Sequence, residues 1–280
     1  MKITRVCAVF WSATGNTEKI VAAMGKAAAK ELGCPLECFD FTPPAGREKV
    51  LEFGPRDLVI VGSPTYAGKL PNKILPDFQT KLAGNGAKAA AVVTYGNRSF
   101  DNSLAELAAT LAADGFRVTG GAAFACRHAF TDLLAPGRPD ENDLKEAEEF
   151  IVRAAKRLAE LPEKEEAGSG SCVPPQIPGD AAAPYYVPKG TDGQPAKFLK
   201  AKPLTDMEKC TKCGDCVKLC PVGSINPADV ADVPGICIKC QACIRGCKAG
   251  AKYFDDAAFL SHVAMLEQNF TARKENEFFL

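Results

Sequence analysis

Blocks of apolar residues alternate with amphipathic stretches along the first 160 residues of the chain. The apolar runs are short and bounded by turn residues, which is typical of buried parallel strands. They predict strands at 3–11, 35–41, 57–62, 87–94 and 117–125. The stretches between them repeat apolar residues every three to four positions, as helices do. They predict helices at 18–32, 72–82, 101–114 and 140–160. The fold class is therefore α/β with a five-stranded parallel sheet.

The order of the strands determines where such a sheet binds a ligand. Five parallel strands with helices on both faces fit the doubly wound order 2-1-3-4-5, whose ligands lie beyond the carboxyl ends of strands 1, 3 and 4. In this chain those strand ends are followed by residues 12–17, 63–71 and 95–98. We therefore expect these three segments to form one binding site.

Residues 161–202 interrupt the alternation. Residues 161–200 contain seven prolines and five glycines, which cannot sustain a helix or a central strand, so they predict a linker. Part of it should pack along the first domain through its apolar residues, which are Tyr185, Tyr186, Val187, Phe198 and Leu199. The predicted organisation is a first domain at 1–160, the linker at 161–202, a second domain at 203–255, and a C-terminal helix and tail at 256–280.

The charge composition indicates which classes of binding partner are not expected. Among 280 residues, 34 Lys and Arg balance 34 Asp and Glu, so nothing indicates binding to nucleic acid or to an anionic membrane surface. No apolar run approaches the length of a transmembrane helix, and residues 1–11 lead into a polar glycine loop without a cleavage-site pattern. We therefore expect a cytoplasmic protein with no membrane insertion.

Residues 12–17, with the sequence SATGNT, connect the first predicted strand to the first predicted helix. Such a hydroxyl- and glycine-rich loop can bind a phosphate group, because backbone N–H groups and the helix dipole face the anion. It has neither the Gly-Lys-Ser/Thr ending of a Walker loop nor the GxGxxG spacing of dinucleotide sites. The alternative is an ordinary strand-to-helix turn in which Thr14 or Asn16 caps the helix.

The other two segments each place an aromatic residue beside glycine. Their residues are Pro64, Thr65, Tyr66, Ala67 and Gly68 in the first, and Thr94, Tyr95, Gly96, Asn97 and Arg98 in the second. An aromatic face can stack on a planar ring while backbone groups near glycine approach the polar edge of that ring. The alternative is that Tyr66 and Tyr95 are half-buried loop aromatics and that Arg98 is solvated.

Eight of the thirteen cysteines lie in two runs with the same spacing. The runs are Cys210, Cys213, Cys216 and Cys220, followed by Cys237, Cys240, Cys243 and Cys247. This Cys-x2-Cys-x2-Cys-x3-Cys spacing is the ligand pattern of two-cluster bacterial ferredoxins. Zinc sites use pairs rather than such triplets, and disulfides need an oxidising compartment, so both alternatives are less favoured. One departure is that Lys248 stands where the first run has Pro221.

Residues 12–17 resemble the FMN phosphate loop of the flavodoxin family, Ser/Thr-x-Thr-Gly-Asn-Thr, through Ser12, Thr14, Gly15, Asn16 and Thr17. With the cysteine runs, the whole chain resembles the fused flavodoxin–ferredoxin proteins of bacteria and archaea, which are typical of anaerobes. The resemblance implies a flavodoxin-like sheet, a small α+β domain like bacterial ferredoxins, and FMN held by the three segments above. It also implies two [4Fe-4S] clusters, one on Cys210, Cys213, Cys216 and Cys247 and the other on Cys220, Cys237, Cys240 and Cys243.

These cofactors imply a function in electron transfer. Clusters exchange single electrons and FMN accepts one or two, so a chain with both can relay low-potential electrons between redox proteins. One alternative is an enzyme whose clusters feed FMN, which reduces a small molecule held by Lys69, Arg98 and His128. Another is a redox sensor, which no DNA-binding or other output element supports. Since no general acid or nucleophile motif is evident, we expect an electron carrier rather than an enzyme, and we expect His262 to be exposed.

Overall fold

The computed structural model describes residues 2–160 and 175–280. Its strands are β1 (Arg5–Phe10), β2 (Leu36–Asp40), β3 (Leu51–Glu52), β4 (Asp57–Pro64), β5 (Leu82–Ala83), β6 (Lys88–Tyr95), β7 (Arg117–Ala125), β8 (Leu204–Thr205), β9 (Lys252–Tyr253) and β10 (Glu277–Phe279). Its helices are α1 (Asn16–Leu32), α2 (Leu75–Lys81), α3 (Ser103–Ala113), α4 (Glu141–Glu160), α5 (Asp215–Leu219), α6 (Ala242–Arg245) and α7 (Ala257–Asn269), with a 3-10 helix at Pro44–Arg47. Below, residues 2–160 are termed the α/β unit, 175–202 the connector, 203–255 the cysteine-rich unit and 256–280 the C-terminal segment.

The main sheet has six strands in the order β10-β7-β6-β4-β1-β2. Its five long strands are parallel, and from β2 to β7 they follow the predicted order 2-1-3-4-5, which confirms the flavodoxin-like fold class. The sixth strand, β10, is antiparallel to β7 and corrects the prediction of five strands. A strand of three residues carries too little periodicity to be recognised in a sequence.

Both faces of the main sheet are covered by helices. Successive residues of a strand point to opposite faces, so Cys7 and Val9 of β1 pack with α2 and α3, whereas Val6 and Ala8 pack with α1 and α4. All four side chains are fully buried. The loops at the carboxyl ends of the strands therefore stand on a well-packed support.

The cysteine-rich unit is a small α+β fold. Its strands β8 and β9 pair in antiparallel fashion, and its short helices α5 and α6 each carry one cysteine of the two runs. Its own core is small, with Ile225, Val233 and Cys243 as the buried members. A domain with so few buried apolar residues depends on cross-links such as metal ligation. Within residues 2–160 and 175–280, no helix has the length and apolarity needed to cross a membrane.

The connector packs against the α/β unit. The ammonium group of Lys69, which is buried, pairs with Glu106 (3.0 Å) and donates to the carbonyl oxygens of Ala181 (2.5 Å) and Ala183 (2.9 Å). A buried ammonium group with three oxygen partners is well satisfied, so these bonds hold the connector in place. The first part of the predicted linker, residues 161–174, lies outside the described residues.

Candidate cofactor sites

One cavity, termed the main cavity, lies beyond the carboxyl ends of β1, β4 and β6. Most of the residues predicted to hold a flavin line it, namely Ser12, Thr14, Asn16, Thr17, Pro64, Thr65, Tyr66, Ala67, Gly68, Thr94, Tyr95, Gly96 and Arg98. Gly15 instead precedes the first residue of α1 as its N-cap. Asn97 is directed to the C-terminal segment, where its Nδ2 donates to the carbonyl oxygens of Phe270 (2.6 Å) and Ala272 (2.9 Å). The three segments expected to form one site thus meet there.

The turn into α1 has the properties of an anion site. In the described part of the chain, the backbone N–H groups of residues 13–17 donate no hydrogen bond to protein atoms. The side chains of the loop are held elsewhere, since Thr17 Oγ1 shares a hydrogen bond with Thr94 Oγ1 (2.8 Å) and Asn16 Nδ2 donates to the carbonyl oxygen of Arg127 (3.0 Å). The unpaired N–H groups lie at the positive end of a 17-residue helix, which fits a phosphate group.

The two loops with aromatic residues have fixed conformations. A Cβ atom at Gly96 would lie 2.1 Å from Cδ2 of His128, so only glycine fits at this point of the loop after β6. In the loop after β4, Tyr66 and Lys69 exchange two backbone hydrogen bonds (2.8 and 3.2 Å), and Ala67 has a left-handed φ of 49°. Both loops are therefore organised by the protein itself, which reduces the entropy lost on binding a ligand.

Side chains from the second half of the chain also line the main cavity. They are Tyr186, Pro188 and Phe198 of the connector, Ile238 and Lys239 of the cysteine-rich unit, and His262 and Leu266 of α7. Sequence analysis predicted Tyr186 and Phe198 as apolar anchors but did not place them at this site. No local pattern signals their location, because it depends on how segments distant in sequence dock.

Two histidines border the main cavity, and in each the ring nitrogen Nδ1 makes a hydrogen bond with a backbone group. Nδ1 of His128 accepts a hydrogen bond from the backbone N–H of Phe130 (3.1 Å), so its proton is on Nε2. Nδ1 of His262 lies 2.8 Å from the carbonyl oxygen of Lys189 and donates to it. Burial lowers the pKa of His128 to about 3, with nearby cationic groups adding to the effect, and burial also lowers the pKa of His262. Because His262 is only 5% exposed, the expectation that it is exposed was wrong.

The enzyme alternative assigns the binding of a small-molecule substrate to three residues. Arg98 and His128 line the main cavity. Lys69 does not, because its ammonium group is occupied by Glu106 and by two carbonyl groups of the connector. The guanidinium group of Arg98 lies over the ring of Tyr186, with its Cζ 4.0 Å from the ring centroid, so Arg98 is not a freely solvated side chain.

The cysteine runs form two further cavities, and each takes three cysteines from one run and one from the other. The inner cysteine cavity is lined by Cys220, Cys237, Cys240 and Cys243. The outer cysteine cavity is lined by Cys210, Cys213, Cys216 and Cys247. These groupings coincide with the two ligand sets that the resemblance implies. Two cysteines of the inner cavity are buried, whereas Cys213 of the outer cavity is exposed, so the inner cavity is the more shielded.

The two runs turn in the same way after their fourth cysteine. The backbone N–H of Ser224 donates to Sγ of Cys220 (3.2 Å), and that of Ala251 donates to Sγ of Cys247 (3.3 Å). In each turn the glycine three residues after the cysteine has a left-handed φ of 61°. Lys248 in place of proline therefore leaves the local turn unchanged. Although burial opposes it, backbone N–H groups lower the pKa of Cys247, which favours the thiolate that iron requires.

Two arginines fasten the cysteine-rich unit to the α/β unit. Arg47 of the α/β unit is 8% exposed and donates to the carbonyl oxygen of Pro221 (2.7 Å), next to a cysteine of the inner cavity. Arg245 of the cysteine-rich unit donates to the carbonyl oxygen of Ala129 (3.1 Å) and pairs with Asp132 (2.7 Å). Such charge-assisted bonds are directional and fix one orientation of the two units.

The inner cysteine cavity adjoins the main cavity. Ile238 and Lys239 line both. Burial raises the pKa of Tyr66 well above its usual value, and the nearby thiols of Cys240 and Cys237 raise it further. Across residues 2–160 and 175–280, the main cavity and the outer cysteine cavity share no lining residue. The inner cysteine cavity is therefore the nearer of the two to the main cavity.

A comparison with protein families finds a match in the first cysteine run. Residues 203–226 match the family described as "4Fe-4S binding domain". This part of the chain is therefore similar to 4Fe-4S binding domains. The matched residues include Cys210, Cys213, Cys216 and Cys220, so the domain contributes cysteines to both cysteine cavities. No curated protein matches the chain.

Among solved structures, several flavodoxins are similar to part of the chain. A flavodoxin from the domain Archaea is 16% identical, covers 56% of this chain and 99% of its own, and has a TM-score of 0.40. The flavodoxin of Streptococcus pneumonia TIGR4 is 20% identical, with 55% and 99% coverage and a TM-score of 0.40. That of Megasphaera elsdenii is 22% identical, with 54% and 98% coverage and a TM-score of 0.36. The strand order gives the α/β unit a flavodoxin-like fold, and the match at residues 203–226 makes the cysteine-rich unit ferredoxin-like.

Proposed function

We propose that this chain is an electron-transfer protein that holds FMN in the main cavity and a [4Fe-4S] cluster in each cysteine cavity, and that it relays electrons between them. When bound, such clusters exchange single electrons and FMN exchanges one or two. The observation that supports the proposal most directly is the wall of Ile238 and Lys239 shared by the main cavity and the inner cysteine cavity. Sites that share a wall need no diffusing carrier between them.

The residues of the main cavity fit FMN in their chemistry. The unpaired N–H groups of residues 13–17 would bind the phosphate group. Tyr66 and Tyr95 provide aromatic surface, and Gly96 allows close approach of the backbone to a polar ring edge. Burial raises the pKa of Tyr95 to about 12, so its phenol stays neutral and adds no negative charge beside the flavin.

The residues around the cysteine cavities give the two clusters different roles. Cys240 and Cys243 are buried, which shields the inner cavity and leaves it in contact with the main cavity through Ile238. Cys213 is exposed, so redox proteins that donate or accept electrons would approach the outer cysteine cavity. All twelve cysteines in the described residues are free, which fits a reducing compartment, and we propose the cytoplasm.

A second candidate function is the reduction of a small molecule by the bound flavin. The observation that favours it is the pair of neutral histidines that line the main cavity, since Nε2 of His128 carries a proton and Nε2 of His262 does not. Such groups could orient a substrate that dissociates after reduction. Steady turnover of a dissociable substrate separates this function from electron relay.

Cofactor analysis tests the proposal. After anaerobic reconstitution, we expect about eight irons, eight sulfides and one FMN for each chain. The variant C240S should lose the cluster of the inner cysteine cavity. The variant C38S, which removes an exposed cysteine outside both cavities, should keep the full content. A chain that binds about four irons would contradict the two-cluster assignment, and a chain that binds no FMN would contradict the assignment of the main cavity.

A further inference from the structure

Tyr186 brings an aromatic ring from the connector into the wall of the main cavity. Its backbone N–H donates to the carbonyl oxygen of Ala67 (2.8 Å), in the loop after β4. Its ring lies against the guanidinium group of Arg98, in the loop after β6, with Cζ 4.0 Å from the ring centroid. Tyr186 is therefore attached to both of the loops that border the cavity.

The connector is held upstream of Tyr186 as well. The backbone N–H of Asp180 donates to Oδ1 of Asn102 (2.9 Å), and the ammonium group of Lys69 binds the carbonyl oxygens of Ala181 and Ala183. This series of bonds fixes the path of the chain into the cavity wall. The position of Tyr186 thus follows from a docked segment rather than from a free side chain.

The preceding residue provides a contrast. The hydroxyl group of Tyr185 donates to the carbonyl oxygen of Leu70 (2.8 Å), so Tyr185 also helps to dock the connector. Within the described residues, Tyr185 is not part of the lining of the main cavity, and 37% of its surface is exposed. Substitutions of these two neighbouring tyrosines can therefore distinguish an effect of connector docking from an effect of contact with the cavity.

We propose that Tyr186 is an FMN-binding residue supplied by the connector, whose ring contacts bound FMN directly. The inference rests on the proposed function, since it takes FMN as the occupant of the main cavity. Tyr186 adds an aromatic surface to those of Tyr66 and Tyr95, and Arg98 holds it in position. The flavin site is then a product of the whole chain and not of the α/β unit alone.

The test uses the full-length chain with its clusters and FMN in place. Flavin release is followed after rapid dilution by the fluorescence of free FMN, for the wild type and for Y186A, Y186L, Y186F and Y185A. We expect Y186A and Y186L to release FMN about two- to tenfold faster than the wild type, because both lose the aromatic ring. Y186F keeps the ring and should stay within about twofold of the wild type.

The control variant determines how the result is interpreted. Y185A removes a docking hydrogen bond but no cavity wall, so it should release FMN at the wild-type rate. The inference is overturned if Y186A and Y186L release FMN at the wild-type rate. It is also overturned if Y185A accelerates release as much as Y186A, since the effect would then come from connector docking. A wild-type chain that holds no FMN would instead overturn the proposed function, and the inference with it.

Discussion

The two histidines of the chain line the same cavity but are protonated on different ring nitrogens. The proton of His128 is on Nε2 because its Nδ1 accepts from the N–H of Phe130, whereas Nε2 of His262 is unprotonated because its Nδ1 donates to the carbonyl oxygen of Lys189. These roles are set by backbone groups near each ring and not by any motif. Both rings are uncharged at neutral pH, so the cavity gains no positive charge from them.

We predict that both histidines titrate below their ordinary pKa of about 6.5. Burial, with His262, Arg245 and Arg98 as further causes, lowers the pKa of His128 to about 3, and burial lowers the pKa of His262. The unfolded chain takes up these protons near pH 6.5 and the folded chain only at lower pH, so the free energy of unfolding decreases as the pH falls below about 6.5.

The measurement is a pH titration of the histidine ring protons by NMR. The variants H128Q and H262Q assign the two sets of signals. The His128 signals should not move between about pH 8 and pH 5. A His128 transition centred near pH 6.5 would contradict the arrangement of the ring described above.

Asn97 marks the limit of prediction at the level of single residues. Asn97 lies in the loop after β6, as predicted, and its neighbours Gly96 and Arg98 line the main cavity. Its amide group is nevertheless taken by carbonyl oxygens of Phe270 and Ala272. Those carbonyl groups lie far away in sequence, so the loop pattern alone contains no signal for this contact.

At the level of elements, β10 covers the edge of the main sheet. It pairs with β7, and Oδ1 of Asn276 accepts a hydrogen bond from the N–H of Ala125 at the end of β7 (3.1 Å). The ring of Phe278 lies between Phe124 (5.6 Å between centroids) and Phe150 (5.4 Å). The C-terminal segment thus protects a strand edge that would otherwise be open to pairing with another chain.

We predict that F278A lowers the free energy of unfolding by about 2 kcal/mol, because it removes a half-buried ring with two aromatic neighbours. Urea unfolding followed by far-UV circular dichroism measures the change. The matched control is E277A in the same strand, at an exposed position, which should change the free energy by less than about 0.5 kcal/mol. Equal stability of F278A and E277A would show that β10 does not stabilise the sheet.

The elements that could be predicted are the long ones. All predicted strands and helices of the α/β unit occur, with ends that differ by three residues or fewer. Their apolar runs are long enough to show a period, and parallel strands with both faces buried are apolar throughout. β3 and β5 have two residues each and β10 has three, so their pairing is decided by neighbouring structure.

At the level of the whole molecule, the inner cysteine cavity lies against the main cavity. Among the described residues, the outer cysteine cavity has no lining residue in common with the main cavity. Cysteine spacing and loop motifs predicted the residues of each site from sequence. The contact between sites could not be predicted, since a proline- and glycine-rich linker permits docked and separated units alike. Docking depends on bonds between surfaces, such as Arg47 with Pro221 and Arg245 with Ala129.

The central claim is that electrons pass between the clusters and FMN within one chain. Its most direct test is rapid mixing of the fully loaded chain with a one-electron reductant under anaerobic conditions, with cluster and flavin absorption recorded separately. We predict that flavin reduction follows cluster reduction at a rate independent of protein concentration, and that a chain loaded with FMN but lacking clusters is reduced more slowly. A rate proportional to protein concentration, or equal rates with and without clusters, would contradict the claim.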